Sequence, residues 1–225
     1  MILEYMLIQE IILNDLETVN SKQTGLEVLT LMEELGREHM AVVDDGTYVG
    51  IITEEQLYEL HSKKLPLENF LSTLIKVFLL PNQHVYDAAH LLSELKLEMM
   101  PVVDTDNRYV GYVDASCVLS KMTSLSGANE PGGILVLELN ANDYSMAEVA
   151  QIVESNNARI LSSFLNTQGD STKMKLTLKI NRIDLSAIIK TFERYQYNIL
   201  ASYHQSKYDE DLKDRFDLFM KYLNM

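Results

Sequence analysis

The chain repeats one pattern about sixty residues apart, and this repeat constrains the fold more than any other feature of the sequence. The stretch Met40–Asp44 (MAVVD) aligns with Met100–Asp104 (MPVVD) at an offset of 60 residues. Val49-Gly50 aligns with Val110-Gly111 at an offset of 61, so the second turn carries one extra residue. Two β-prone runs around a turn rich in Asp, Gly and Asn predict a β-hairpin in each repeat. The chain is therefore expected to contain two similar units.

A helix is predicted before and after each hairpin. Thr24 and Glu27 have the spacing of a capping box, and Gly36 stands where a glycine commonly ends a helix. Apolar residues at helical spacing precede the hairpins, namely Val28, Leu31, Met32 and Leu35 in the first repeat and Val85, Ala88, Ala89, Leu92 and Leu95 in the second. Short extended segments at 17–20 and 76–80 come before these helices. Each repeat therefore reads as strand, helix, strand, strand, helix.

The pattern changes after the second repeat. The stretch 122–133 is rich in Ser, Gly and Asn and is predicted to be a linker. The segments that follow alternate as β-α-β-β-α-β, the order of a ferredoxin-like fold, and Ser145 with Glu148 predicts a capping box at the start of the first of these helices. This order is similar to an ACT domain, and that resemblance implies Asn142 or Asp143, in the loop 140–145 between the first strand and this helix, as a contact for an amino group. The alternative for these two residues is a plain loop turn, which Asn and Asp favour.

An amphipathic helix is predicted for residues 206–225. Its apolar residues recur at helical spacing and are Leu212, Phe216, Phe219, Met220 and Leu223. Such a stripe needs a surface to cover, either on this chain or on a second molecule of it.

The repeated hairpin motifs resemble a tandem pair of CBS domains, often called a Bateman module, and the last segment is similar to an ACT domain. The combination resembles the bacterial acetoin-utilization proteins. The resemblance implies an α+β fold with α/β layers, in which a pair of β-α-β-β-α units precedes a ferredoxin-like domain. The expected divisions are a first CBS repeat at 1–68, a second at 69–123, a linker at 124–133, an ACT-like domain at 134–205 and a helix at 206–225.

The resemblance also implies a ligand and the residues that bind it. The relevant motif begins at Gly50 in the first repeat and at Gly111 in the second. In this family a Thr or Ser at the fourth position of the motif and an Asp at the seventh hold the ribose and phosphate of an adenine nucleotide. The candidate site residues are therefore Thr53 and Gln56 with a wall of Met40, Ala41 and Val42 in the first repeat, and Asp114 and Cys117 with Met100, Pro101 and Val102 in the second. The implied regulatory ligands are AMP, ADP, ATP or S-adenosylmethionine, bound by a homodimer that signals to an unidentified regulated protein.

Two interpretations of these residues stay open. Only Thr53 matches the family, whereas Gln56 is a neutral amide, Asp114 would repel a phosphate and Cys117 is a weak donor. The same residue types also cap helices, since Thr53 and Gln56 form a capping-box pair and Asp is a preferred N-cap. The chain is thus either a ligand sensor or a protein-interaction module whose clefts have lost their ligand. Arg37, just before the first hairpin, is a further candidate for a phosphate contact, as is the neighbouring His39.

The composition of the chain narrows the classes of partner that it is expected to bind and the compartment in which it is expected to occur. A net charge of −14 disfavours nucleic acid and anionic membrane surfaces. The apolar start, MILEYMLIQEIIL, is interrupted by two glutamates and lacks a basic region, so a packed segment is expected rather than a signal peptide or membrane span. The single Cys117 fits a reducing cytoplasm. The histidines show no zinc-ligand spacing, and no motif predicts an enzyme.

Overall fold

The computed structural model describes residues 6–15, 17–167 and 172–203. The chain divides into two compact units, Met1–Met122 and Thr123–Met225. The elements of the repeats are α1 (Gly25–Leu35), β1 (His39–Asp44), β2 (Thr47–Thr53), α2 (Glu54–Glu59), α3 (Val85–Leu95), β3 (Met99–Val103), β4 (Tyr109–Asp114) and α4 (Ala115–Leu125). They are followed by β5 (Gly133–Asn140), α5 (Met146–Ser155), β6 (Ile160–Thr167), β7 (Lys173–Ile180), α6 (Ser186–Arg194) and β8 (Asn198–Tyr203).

The element order confirms the predicted α+β fold class. The linker is shorter than predicted, because α4 continues to Leu125 before the chain leaves the helix. The extended segments at the start of each repeat reduce to single parallel bridges, Val19 with Val42 and Leu79 with Val102. The helix expected at 206–225 lies outside the described residues, as does most of the turn expected between β6 and β7.

The two hairpins have the same construction and are tied together at their tips. Each has a register shift at the same place, after Val42 in the first and after Val102 in the second. Asn107 Nδ2 donates to the carbonyl of Tyr48 at 2.9 Å, and Arg108 donates to a carbonyl in the first hairpin turn at 3.0 Å. These hydrogen bonds join one repeat to the other, so they fix the position of the two hairpins relative to each other.

The connecting segments pack differently from the predicted boundary at 68/69. Leu74, which lies beyond this boundary, is buried in the core of the first repeat together with Leu67. Ile8, at the start of the chain, is fully buried in the core of the second repeat, beside Val85 and Val118. The segment before the first repeat therefore completes the second one, which no local pattern in the sequence could show.

The second strand of each hairpin contains a glycine, Gly50 in β2 and Gly111 in β4, at the point where another segment of the chain crosses it. A Cβ added at Gly50 would lie 2.8 Å from Cβ of Leu74. Gly111 has a φ of 154°, and a Cβ there would overlap the carbonyl oxygen of Leu13. Leu13 pairs with Tyr112 through two backbone hydrogen bonds of 2.8 and 2.9 Å. The repeated glycines thus serve the packing of the two connecting segments.

The second unit is a four-stranded antiparallel sheet in the order β6-β7-β5-β8. This is the strand arrangement of the predicted ferredoxin-like fold. Helices α5 and α6 cover one face of this sheet. The core there combines strand residues with helix residues, namely Leu135, Leu137, Leu176 and Leu178 from the strands and Val149, Ile152 and Phe192 from the helices.

The capping box predicted at the start of α5 is only half formed. The Ser145 side chain accepts from the backbone N–H of Glu148 at 3.3 Å, as predicted. The Glu148 carboxylate does not return to the helix start but accepts from the hydroxyl of Tyr197 at 2.6 Å. A partner distant in sequence has replaced the local one.

Candidate ligand-binding cleft

A cavity of about 800 Å³ lies between the two repeats. The first repeat contributes the start of β1, the end of β2 and helix α2, and the second contributes the turn between α3 and β3. The lining residues are Glu38, His39, Thr53, Glu54, Glu55, Gln56, Tyr58, Glu59, Ile75, Leu95, Lys96 and Leu97. A molecule in this cleft would contact both repeats at once.

Thr53 and Gln56 are brought together in the cleft, and they also form the predicted capping box. The Thr53 side chain accepts from the N–H of Gln56 at 3.2 Å, and Gln56 Oε1 accepts from the N–H of Thr53 at 3.0 Å. Gln56 Nε2 donates to the carbonyl of Thr73 at 2.5 Å. The Gln56 amide therefore fastens α2 to the segment between the repeats, a role that the sequence did not reveal.

The charge of the cleft is mainly negative. Four glutamates line it and the lining includes one lysine, Lys96. His39 is only 3% exposed, and its Nε2 lies 3.2 Å from the backbone N and 3.1 Å from the backbone O of Met99. Burial lowers the pKa of His39, so the imidazole is neutral at pH 7. Arg37 belongs to an adjoining cavity of about 540 Å³.

Lys96 is a lining residue that sequence reasoning missed. It ends α3 with a left-handed backbone, φ 54°, at the position that Gly36 occupies after α1. Comparing the two repeats residue by residue gives the signal, because a long basic side chain in the second repeat replaces a glycine in the first.

The second repeat places Asp114 and Cys117 together at the start of α4. Asp114 Oδ1 accepts from the N–H of Cys117 at 2.7 Å and from the hydroxyl of Ser116 at 2.8 Å. Burial opposes ionisation, but these hydrogen bonds outweigh it and lower the pKa of Asp114. Burial, reinforced by the Asp114 carboxylate, raises the pKa of the Cys117 thiol. Asp114 is thus an ionised helix cap, and Cys117 is a protonated thiol of low reactivity.

The apolar residues assigned to the cleft walls lie inside the strands. Met40, Ala41 and Val42 of β1 are fully buried, as are Met100, Pro101 and Val102 of β3. The residues that line the cavity beside Thr53 on its apolar side are instead Ile75, Leu95 and Leu97. Contact between the β1 or β3 residues and a ligand stays a prediction.

The second unit has a cavity of its own, of about 450 Å³. It lies beside the loop after β5, and Asp143 is among its lining residues together with Glu138, Lys173 and Tyr197. Glu138 Oε1 accepts from Lys173 Nζ at 2.8 Å and from Asn198 Nδ2 at 3.1 Å. These two hydrogen bonds lower the pKa of the Glu138 carboxyl. Asn142 stands in the same 3₁₀ turn as Asp143.

Within residues 6–15, 17–167 and 172–203, no group of three or more His, Cys, Asp or Glu residues is placed to hold a metal ion. No helix in the same ranges has the length and apolar character needed to cross a membrane.

Comparison with known proteins identifies the repeats. Residues 8–63 and 73–124 match the family model of the CBS domain. The inosine-5'-monophosphate dehydrogenase of Methanocaldococcus jannaschii is 22% identical over 147 residues, which cover 65% of this chain but only 29% of the dehydrogenase.

Solved structures of CBS pairs are also similar to this chain. A CBS domain pair/ACT domain protein from Thermotoga maritima is 24% identical, with a TM-score of 0.48 over 53% of this chain and 98% of that one. CBSX2, solved in complex with AMP, is 22% identical, with a TM-score of 0.42 over 52% and 96%. The CBS pair of protein MJ0100, solved with 5'-methylthioadenosine and S-adenosyl-L-methionine, is 24% identical, with a TM-score of 0.44 over 52% and 96%.

Proposed function

Because the chain carries a tandem pair of CBS domains, we propose that it is a regulatory module that senses an adenosine-containing ligand. The site is the cleft between the repeats beside Thr53. The module acts as a homodimer in the cytoplasm, without catalysis of its own, and passes its state to a regulated protein. The observation that carries the proposal is the cavity of about 800 Å³, which has Thr53 at the family's motif position and is lined by both repeats.

The charge of the cleft favours some of the four candidate ligands over others. Like charges about 4 Å apart cost about 1 kcal/mol in water and about 4 kcal/mol near a protein surface. A triphosphate would meet four glutamates and gain Lys96 as a partner. S-adenosylmethionine carries a positive sulfonium and no phosphate, and AMP carries a single phosphate. We therefore expect S-adenosylmethionine and AMP to bind more tightly than ADP, with ATP the weakest.

Signalling would use the contacts that join the repeats. A ligand that touches Thr53 on one side and Lys96 on the other favours one relative placement of the two repeats. The Gln56 amide holds the carbonyl of Thr73 at 2.5 Å, so a ligand that competes for this amide would also loosen the segment between the repeats. Such a change supplies the difference in affinity between two states that regulation requires.

The first test is thermal unfolding with each of the four ligands. A ligand present at a hundred times its Kd stabilises its unit by about 2.7 kcal/mol, which corresponds to roughly 5–10 °C in Tm for a chain of this size. Thr53→Ala should remove the ligand-induced shift. The matched control is Thr24→Ala. Thr24 caps α1 through a capping box like that of Thr53, but it does not line the cavity. Both substitutions should cost about 1 kcal/mol of stability without ligand.

The alternative function is a protein-interaction module whose clefts bind no ligand. Its support is that Thr53, Gln56 and Asp114 all have complete capping contacts without a ligand. No shift with any of the four molecules, together with equal effects of Thr53→Ala and Thr24→Ala, would favour this alternative. The finer likeness to acetoin-utilization proteins adds a candidate pathway to either function, and deletion of the gene with growth on acetoin would test it.

A further inference from the structure

The cleft between the repeats adjoins the cavity of about 540 Å³ along a shared wall. Glu38, Glu54 and Tyr58 line both cavities. The backbone N–H of Glu54 donates to the carbonyl of Glu38 at 2.7 Å, which holds these two residues side by side. Tyr58 lies four residues after Glu54 on α2, so their side chains share one helix face. Tyr58 is 60% exposed, and a ligand longer than a nucleoside can therefore extend over this wall from one cavity into the other.

The shared wall has the chemistry of a site for a positive charge. It combines two carboxylates with an aromatic ring, and the Glu54 carboxylate beside the Tyr58 hydroxyl raises the pKa of that hydroxyl. Lys63 Nζ lies 4.6 Å from the centroid of the Tyr58 ring, which is a cation–π distance. A cation of the protein thus already occupies the ring. The same wall repels a phosphate, because both of its ionisable side chains are acidic at pH 7.

The charge changes sign beyond the wall. Among the described residues that line the second cavity but not the first, the charged ones are Arg37, Lys63 and Glu33. Two positive side chains therefore stand against one negative side chain there. Starting from Thr53, a ligand that follows the groove meets a hydroxyl first, then the negative wall, and then the positive part of the second cavity.

This order of charges matches one of the four candidate ligands. S-adenosylmethionine consists of an adenosine, a positive sulfonium on its 5′ carbon, and an amino-acid tail that ends in a carboxylate. We propose that Glu38, Glu54 and Tyr58 bind this sulfonium, an inference that rests on the function proposed above. Arg37, in the second cavity, pairs with the carboxylate of the tail. Lys63 leaves the aromatic ring to the sulfonium and moves toward the same carboxylate.

Such a subsite distinguishes the two sides of a methyl transfer. Loss of the methyl group turns S-adenosylmethionine into S-adenosylhomocysteine, in which the sulfur is a neutral thioether and the rest of the molecule is unchanged. Carboxylates and an aromatic ring attract a sulfonium but gain little from a thioether. The module then reports the methyl donor itself rather than the sum of donor and product, and the reactions whose balance it reads are methyl transfers.

Isothermal titration calorimetry of the full chain tests the sulfonium subsite. We expect S-adenosylmethionine to bind about tenfold more tightly than S-adenosylhomocysteine, from the ion pairs and the cation–π contact together. Glu54→Gln should weaken S-adenosylmethionine about fivefold and change the affinity for S-adenosylhomocysteine by less than about twofold. The matched control is Glu34→Gln, which removes the same charge from an exposed position of α1 that lines neither cavity and should leave the ratio unchanged.

A third probe tests the partner of the carboxylate. 5′-Methylthioadenosine has the thioether but lacks the amino-acid tail. S-adenosylhomocysteine should bind about threefold to fivefold more tightly than this probe, because only its tail reaches the second cavity. Arg37→Gln should remove most of that difference. Lys64→Gln should not, since Lys64 lines neither cavity.

The outcomes separate this inference from the proposed function. If AMP or S-adenosylhomocysteine binds and S-adenosylmethionine has no advantage, the inference is overturned and the proposed function stands. The same holds if Glu54→Gln weakens S-adenosylmethionine and S-adenosylhomocysteine equally, because Glu54 then acts only through the structure of the cleft. If none of the probes binds, the proposed function fails and the inference fails with it.

A second variant covers the case in which Glu54→Gln lowers the Tm of the protein without ligand. Tyr58→Leu keeps both carboxylates and removes the ring. It should lower the ratio of the two affinities about twofold to fivefold. An unchanged ratio in Tyr58→Leu overturns the assignment of the ring to the sulfonium.

Discussion

Replacing Gly111 by alanine tests whether the repeated glycine is needed because another backbone crosses β4. At a φ of 154° a side chain costs about 1–3 kcal/mol of strain. The added Cβ would lie 2.7 Å from Cγ2 of Ile12 and would also overlap the carbonyl oxygen of Leu13. Overpacking of this kind costs about 1–3 kcal/mol. We therefore expect Gly111→Ala to lower the free energy of unfolding by about 2–6 kcal/mol.

Alanine substitutions at two other glycines separate the two contributions to this loss of stability, overpacking and backbone strain. Gly50 has no left-handed backbone but approaches Leu74, so Gly50→Ala should cost about 1–3 kcal/mol from overpacking alone. Gly36 has a φ of 62° and no atom within 4 Å of an added Cβ, so Gly36→Ala should cost about 1–2 kcal/mol from strain alone.

Urea unfolding followed by far-UV circular dichroism measures these differences, since the midpoint shifts while the slope stays constant. Amide exchange locates the loss: in Gly111→Ala the N–H groups of Leu13 and Tyr112 should lose protection first, because they bond the crossing segment to β4. The reasoning is refuted if Gly111→Ala costs no more than Gly36→Ala, or if these two amides stay as protected as in the parent chain.

Three further predictions concern the site and the second unit. Asp114→Thr with Cys117→Asp places the family's residue types in the second repeat and should create or add one AMP site, which calorimetry counts; an unchanged stoichiometry contradicts this. Burial lowers the pKa of His39, so the unfolded imidazole takes up a proton that the folded one refuses, and stability should fall as pH decreases from 7 through about 6.5. His39→Met, which copies the equivalent residue of the second repeat, should flatten that dependence in urea titrations at each pH. Tyr197→Phe removes the 2.6 Å bond to Glu148 and should cost about 0.5–1.5 kcal/mol in thermal unfolding, and an unchanged Tm would show that the bond contributes nothing.

The features that could be predicted from the sequence are those that nearby residues determine. Thr24 caps α1 through Glu27, and Thr53 caps α2 through Gln56, each with a partner three residues away. The two hairpins follow from short periodic patterns of the same local kind. The repeat strengthens these predictions, because each pattern occurs twice at matching spacing.

The features that could not be predicted depend on residues far apart in the chain. The Gln56 amide reaches the carbonyl of Thr73, and Glu148 turns from its helix to Tyr197. Lys96 enters the cleft only because the second repeat packs beside the first. Such contacts compete with local contacts of similar free energy. A local sequence pattern therefore predicts which kinds of hydrogen bond a side chain can form, but not which partner it binds.

The segment around Leu74 packs on the first repeat, whereas the segment around Ile8 packs on the second. This arrangement affects the order in which the chain can fold during synthesis. The core cluster formed by the first repeat and Leu74 alone is complete once Leu74 has been made, so this part can fold early. Ile8 must wait until Val113 and Val118 of the second repeat, more than about a hundred residues after it in the chain, have been synthesised. During that interval the apolar segment around Ile8 has no surface to cover, which is the situation in which nascent chains aggregate or recruit chaperones. The segment that precedes both repeats in the chain is thus the last part of the CBS pair to find its place.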